Sequence, residues 1–190
     1  DTDKNREKDN GVNEIVDSLA QFGLAPDEGV FNDGEEKGDY GPYMQSNRID
    51  IYHSFAKHLV SLGRAYPSFA TSEELDVIRK EQEASKIKPG YYGVWAKDRE
   101  LSIEEVEEKI KNGVPYVIRL KSLGVESPRQ LHDEVKGNIS VPLNDQDSIL
   151  LKADGYPTYH FAHLVDDFLM GTTHVIRGDE WLASLPLHIE

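Results

Sequence analysis

Apolar residues recur at helical spacing near the start of the chain. Val12, Ile15, Val16, Leu19 and Phe22 share one face, and Gly23 stands where helices commonly stop in the left-handed conformation. A helix is therefore expected over about 10–22. Residues 26–45 break the pattern with Pro26, Gly29, Gly34, Gly38, Gly41 and Pro42, set among acids, and read as loop. A second helix starts near Ser46, shows Ile49, Tyr52, Phe55, Ala56, Leu59 and Val60 on its apolar face, and ends at Gly63. Tyr66 to Ala70 reads as a short strand. Two capping boxes follow: Thr71-Ser-Glu-Glu74 opens a helix to about Ile87, and Ser102-Ile-Glu-Glu105 opens another, closed by Gly113. Val114 to Leu120, Ile139 to Val141 and Ser148 to Lys152 read as strands, and Asp154-Gly-Tyr-Pro157 as a turn. Thr158 N-caps a strongly apolar helix to Met170, Thr173 to Arg177 reads as a strand, and Asp179 caps a last helix. This order suits an α/β protein interrupted by a smaller module with its own helices and strands.

Composition narrows the classes. With 38% hydrophobic and 29% charged residues in 190, the chain reads as globular, neither disordered nor membrane-embedded. No run of about 18 apolar residues is present to span a bilayer, and no signal peptide opens the chain. Cysteine is absent, which excludes disulfides, thiolate zinc sites and thiol catalysis. The chain starts at Asp1 without Met and ends at Glu190 within a predicted helix, so a piece of a longer protein is expected. A formal charge of -14 argues against a polyanionic partner, yet the charge is uneven. Residues 66–150 hold 12 of the 21 bases, although 16 acids leave that segment net negative.

The candidate chemistry concentrates near the end. His160 and His163 lie three apart, and His163 and Asp167 four apart, on one helix face. Such a set could ligate zinc or iron. In the plainer reading His160 faces solvent and Asp166 and Asp167 cap or form ion pairs. Arg177 ends a predicted strand ahead of a helix start, where α/β proteins bind ligands, and its fork matches a carboxylate or phosphate. It could equally pair with Asp166 or Asp167. Trp181 could wall a flat ligand or fill core. No G-x-G-x-x-G, no G-x-x-x-x-G-K-[ST] and no serine nucleophile elbow is present. The bases Arg79, Lys80, Lys86, Lys88, Lys97, Arg99, Lys109, Lys111, Arg119, Lys121 and Lys136 could track phosphates, or lie on a solvated face laced with acids.

The stretch from Asp154 through Tyr159-His-Phe-Ala-His163, Asp166-Asp167 and His174-Val-Ile-Arg177-Gly-Asp-Glu-Trp181 closely resembles bacterial-type glutamyl-tRNA synthetase. Gly41-Pro-Tyr-Met-Gln-Ser-Asn-Arg48, continued to Tyr52, resembles the family's G-P-Y-x-Q-S-x-R-x-x-x-Y. Asp1-Thr2-Asp3 resembles the tail of its R-x-E-D-T-D, and Tyr116-Val-Ile-Arg-Leu-Lys121 and Lys136-Gly137 also find counterparts. The resemblance covers essentially the whole chain. It implies an incomplete Rossmann-type class I synthetase catalytic domain, of α/β class, with an inserted α+β module that binds the tRNA acceptor stem. Residues 1–65 would form the first Rossmann half, 66–150 the insertion and 151–190 the second half. The implied parent activity is ATP-dependent formation of glutamyl-adenylate, with Mg²⁺, and transfer of glutamate to the 3′ end of tRNA(Glu).

By motif position, the resemblance assigns Tyr159, His163, Arg177, Glu180 and Trp181 to the glutamate and ATP pocket. His163 stands where many members have Asn. It assigns Asp3, Arg6, Arg79, Arg119 and Lys136 to the acceptor stem, with Lys136 in place of a usual Arg. Some members bind zinc through four insertion positions that here hold Ser68, Ala70, Tyr91 and Trp95, so no zinc is expected. The family's H-x-G-H and K-x-S-K-S signatures, which stabilise charge on the ATP phosphates, would lie before Asp1 and after Glu190, so no catalytic residue is assigned within the chain. A monomer in the cytoplasm or an organelle, away from membranes, is implied. Three other readings stand beside it: a non-catalytic tRNA acceptor-binding module, an enzyme that attaches glutamate to queuosine in tRNA, and a metal-dependent enzyme built on His160, His163 and Asp167.

Overall fold

The structure, a computed structural model, describes residue 8 and residues 10–124 and 128–190. Helix α1 (Gly11–Gln21) leads to a two-residue ladder of β1 (Gly29–Val30) and β2 (Glu36–Lys37), the only regular pairing within the expected loop. A 3-10 turn at Gln45–Arg48 runs into α2 (Ile49–Ser61), followed by β3 (Ala65–Ser68). Both capping boxes form as the sequence predicts. Thr71 Oγ1 accepts from the Glu74 amide and Glu74 accepts from the Thr71 amide at the start of α3 (Ser72–Ala84). Ser102 and Glu105 do the same for α4 (Ile103–Lys111).

Strands β4 (Val117–Leu120), β5 (Arg129–Asp133), β6 (Gly137–Val141) and β7 (Ile149–Leu151) precede α5 (Tyr159–Leu169) and a short α6 (Leu185–Ile189). The main sheet has the order β3-β4-β7, antiparallel throughout, with Ala65 opposite Leu120 and Ile118 opposite Leu151. No parallel ladder forms among the described residues, so the Rossmann sheet that the resemblance implies is not paired within them.

Three local expectations are corrected. Thr173–Arg177 forms no regular element and joins no ladder among the described residues. Its β-branched residues favour a strand, but no neighbouring strand among the described residues offers partners, and Ile176 is 95% exposed. Thr158 occupies the N-cap of α5 with no side-chain capping bond; its hydroxyl is turned to the preceding strand, where it donates to the Ile149 carbonyl at 2.8 Å. Asp179 is the first residue of a 3-10 segment, Asp179–Ser184, whose N-cap is Gly178.

Side chains alternate across the sheet, and each face buries a different core. Ala65 and Leu120 join Tyr52, Ala56, Leu150, Leu151, Phe161, Ala162 and Val165 beneath α2 and α5. On β3, Tyr66 points the other way, into a cluster with Ile78, Tyr91 and Ala96 drawn wholly from residues 66–150. The first core draws on all three segments of the chain, so α2 and α5 are held over β7 by apolar burial worth about 1.5–3 kcal/mol per large side chain. This fixes the N-terminal end of α5, where the candidate residues gather.

Candidate functional site

The G-P-Y-x-Q-S-x-R-x-x-x-Y stretch anchors α5. Gln45, Arg48 and Tyr52 follow at spacings of three and four, so they share one helical face. All three meet Asp166. Gln45 Nε2 donates to it at 3.0 Å, Arg48 Nε at 2.7 Å, and the Tyr52 hydroxyl lies within hydrogen-bond reach of both carboxylate oxygens. Arg48 Nη1 also donates to the carbonyls of Tyr40 and Pro42, at 3.2 and 2.8 Å. Burial, then the adjoining Asp166 carboxylate, pushes the Tyr52 hydroxyl well above its ordinary value. The neighbouring acid Asp167 takes His163 instead, with its Oδ2 3.1 Å from His163 Nδ1.

Both acids that could have neutralised Arg177 are thus engaged elsewhere. The Arg177 guanidinium packs against two adjoining rings, 5.3 Å from the centre of Tyr159 and 5.2 Å from that of Trp181. Its Nη1 is buried and has no hydrogen-bond partner among the described residues. A buried guanidinium donor left unpaired costs free energy that an incoming carboxylate would recover. Tyr159 and Trp181 stack at 5.0 Å, and Tyr159 packs on His163 at 5.3 Å. Trp181 is half-buried and belongs to neither apolar cluster; it packs on Tyr159, His160 and Arg177. Glu180 is exposed, with its carboxylate folded back over Gly178. Tyr159, His163, Arg177 and Trp181 are therefore brought together, and Glu180 sits at the rim.

His188 is the member of this cluster that carries no signal in the sequence. Its Nε2 lies 2.9 Å from His160 Nδ1 and 3.3 Å from His163 Nε2. His160 is consequently half-buried and ring-packed, not a solvent-facing residue. No group of three His, Asp or Glu side chains among the described residues is arranged to hold a metal ion, which leaves the metal-enzyme reading without a site.

A cleft of about 460 Å³ opens elsewhere, between α2 and the sheet, with His53, Lys57, Tyr116 and Lys152 among its lining. Tyr116 of the Tyr116–Lys121 stretch lines it, but none of Tyr159, His163, Arg177, Glu180 and Trp181 reaches it.

Comparison with known proteins shows the family. The family model for the catalytic domain of class I tRNA synthetases (E and Q) matches residues 1–190. The chain belongs to that family. It is 52% identical to the glutamate–tRNA ligase of Acetivibrio thermocellus and 51% identical to that of Clostridium beijerinckii, over its full length but only 35% and 34% of theirs. The crystal structure of a glutamate tRNA ligase from Elizabethkingia meningosepticum, in complex with its amino acid, superposes with a TM-score of 0.84 at 39% identity and is matched over 38% of its chain. The class I synthetase catalytic fold is thereby established. The chain spans about a third of the length of these relatives.

The acceptor-stem candidates of the class I family member are scattered. Asp3 and Arg6 lie outside the described residues. Arg79 is exposed on α3 and ion-paired with Asp76. Lys136, in the turn between β5 and β6, reaches across to Asp179 at 2.7 Å, which raises its affinity for the proton. Arg119 is 7% exposed, stacks on Tyr91 at 4.4 Å and donates to the Asp147 carbonyl at 2.9 Å. Burial lowers its proton affinity. Strand alternation turns it toward the inner cluster, so it is not available to a phosphate in this structure. Several other bases of the segment are also engaged: Lys88 with Asp145, Lys111 with Glu107, and Arg99 with the buried Asp147. The solvated, acid-laced face describes them better than a phosphate track.

Where some synthetases carry zinc ligands, the polar groups here are oxygens. Asp98 Oδ2 accepts from the Phe69 amide at 2.9 Å, Ser68 Oγ at 2.9 Å and the Tyr91 hydroxyl at 3.0 Å. One carboxylate thus ties the ends of the same turns.

Proposed function

We propose that this chain is the amino-acid-binding and acceptor-binding portion of a glutamate–tRNA ligase, which forms glutamyl-adenylate from ATP and glutamate and passes the glutamyl group to the 3′ end of tRNA(Glu) in the cytoplasm. The observation that carries it is the buried, unpartnered Nη1 of Arg177, whose guanidinium packs against the rings of Tyr159 and Trp181. A planar guanidinium with a free donor beside aromatic rings suits a carboxylate side chain. Residues 66–150, with their own apolar cluster, are read as the inserted module that approaches the acceptor stem, with Arg79 and Lys136 as its surface cations. Arg119 acts by holding that module together. The described residues supply no carboxylate cage for Mg²⁺, and no step is assigned to it. No helix among them is long and apolar enough to cross a membrane.

L-glutamate titrated into the chain should shift the side-chain NMR signals of Tyr159, His163 and Trp181. Arg177→Ala should weaken that binding by about tenfold to a hundredfold, the ~1.5–3 kcal/mol of a hydrogen bond to a charged group. Unchanged affinity in the variant would remove Arg177 from the site. ATP–pyrophosphate exchange by the 190-residue chain alone is expected to be negligible, because no described residue forms an ATP phosphate cradle. Glutamate-dependent exchange above background would refute this.

A further inference from the structure

Three imidazoles meet behind the Arg177 pocket. His160 and His163 present Nδ1 and Nε2 to one atom, the Nε2 of His188, at 2.9 and 3.3 Å. The remaining nitrogen of His163 is held by Asp167 at 3.1 Å. Tyr159 packs on both α5 histidines, at 5.7 and 5.3 Å, and carries Arg177 on its ring.

A neutral imidazole has one N–H and one lone pair. The Asp167 carboxylate only accepts, so neutral His163 must carry its hydrogen on Nδ1 and leave Nε2 bare. His188 must then donate from Nε2. That same hydrogen is the only one left for the contact with His160, whose Nδ1 has to be bare as well. One hydrogen thus serves two contacts. A single added proton reverses the sharing. Doubly protonated His163 donates to Asp167 and to His188, and His188 moves its own hydrogen to Nδ1 and accepts at Nε2. The His160 Nδ1–H turns to the same lone pair, so the His163–His188 contact gains its own hydrogen while two donors share one acceptor.

The charges around the cluster decide whether that proton stays. On α5, Asp167 favours it directly and Asp166 at longer range, although Asp166 is already engaged by Arg48 and Tyr52 of the preceding elements. The Thr173–Arg177 segment brings Arg177, which opposes it, and the 3-10 segment brings the uncharged Trp181. Burial is the largest influence on all three histidines and lowers each below its ordinary value, with Arg177 adding to the effect. His188, which also feels both neighbours, falls to about 4.

We propose that the pocket binds its carboxylate ligand together with a proton, taken up in the His163–His188 contact when the ligand neutralises Arg177. The inference rests on the reading of Arg177 as the receiver of the glutamate carboxylate. His188 is then a positioning residue: it sets which nitrogen of His163 carries hydrogen toward the pocket. Affinity should rise as pH falls, by up to about tenfold per pH unit, between the raised values of the bound state and the lowered values of the free state.

Calorimetric titration of L-glutamate into the 190-residue chain near pH 6, in two buffers of different ionisation enthalpy, counts the protons. Substantial uptake, approaching one proton per glutamate, is expected for the unaltered chain, and almost none for His188→Gln. Binding without proton uptake overturns the inference and leaves the pocket standing. A folded chain that does not bind glutamate overturns the pocket reading, and the inference with it. Should His188→Gln fail to fold, nitrogen-15 spectra of the unaltered chain decide the matter. Glutamate should convert His188 from the Nε2–H to the Nδ1–H form and protonate both nitrogens of His163, and unchanged ring protonation would overturn the proposal.

Discussion

Asp147→Ala is expected to destabilise the chain by about 3–5 kcal/mol, the cost of leaving a buried charge without its partner. The Asp147 side chain is fully buried and is the hub of the middle segment. Arg99 grips both its oxygens, with Nε at 2.5 Å. The Tyr66 hydroxyl donates to it at 2.6 Å, and the Ser122 amide and hydroxyl at 3.0 and 2.9 Å. Three points of the chain, distant in sequence, converge on one carboxylate. Burial alone would raise this acid, but Arg99, Tyr66 and Ser122 outweigh it and hold it below the ordinary carboxylate value. A depressed folded value stabilises the native state above the unfolded value of about 3.9, and that contribution is lost as pH falls through it toward the folded value. Urea unfolding at neutral pH and near pH 3 checks both points. The stability deficit of the alanine variant relative to the parent should be smaller near pH 3 than at neutral pH. A deficit under about 1 kcal/mol at neutral pH would show that the Asp147 cluster is dispensable.

Asp166→Ala should cost a similar ~3–5 kcal/mol, for the same reason at a different place. Arg48 is 2% exposed and would keep only two backbone carbonyls. The consequence differs, because Asp166 belongs to the helix that carries the pocket. Loss of this anchor should loosen α5 against α2, so glutamate binding should fall along with the unfolding midpoint. Asp166→Asn should restore part of the stability, since an amide still accepts from Tyr52 and Gln45. A variant with parental midpoint and parental glutamate affinity would mean that α5 is fixed by apolar packing alone.

Helices were the most legible part of the chain. Capping boxes are local chemistry, and those at Thr71 and Ser102 form as written. The β5–β6 hairpin was not foreseen for β5, because Arg129–Asp133 is polar and lacks apolar alternation. A signal existed in its turn: Asp133 accepts from the amides of Val135 and Lys136, and Gly137 adopts positive φ. Arg177 was legible as a candidate for a carboxylate or phosphate, but whether an acid already paired with it was not. That depended on Arg48 and His163 claiming Asp166 and Asp167, contacts that span 118 residues in one case. His188 was invisible, because a lone histidine in a short apolar stretch acquires meaning only when α6 folds back on α5. Arg119 misled for a related reason: alternation places it on one face of β4, but nothing local says that this face is covered.

The order β3-β4-β7 also bears on how the chain folds. Its central strand is delivered by the middle segment, while its outer strands mark the entry to and exit from that segment. Closing such a sheet fixes long intervening loops before most of the apolar burial is gained, which makes the transition slow and concerted. Tyr66, Ile78, Tyr91 and Ala96 lie closer together in sequence and can assemble earlier. The architecture therefore favours a sequence of events in which the middle segment condenses first and offers β4 as a template. The pocket at the head of α5 is then among the last features to be completed.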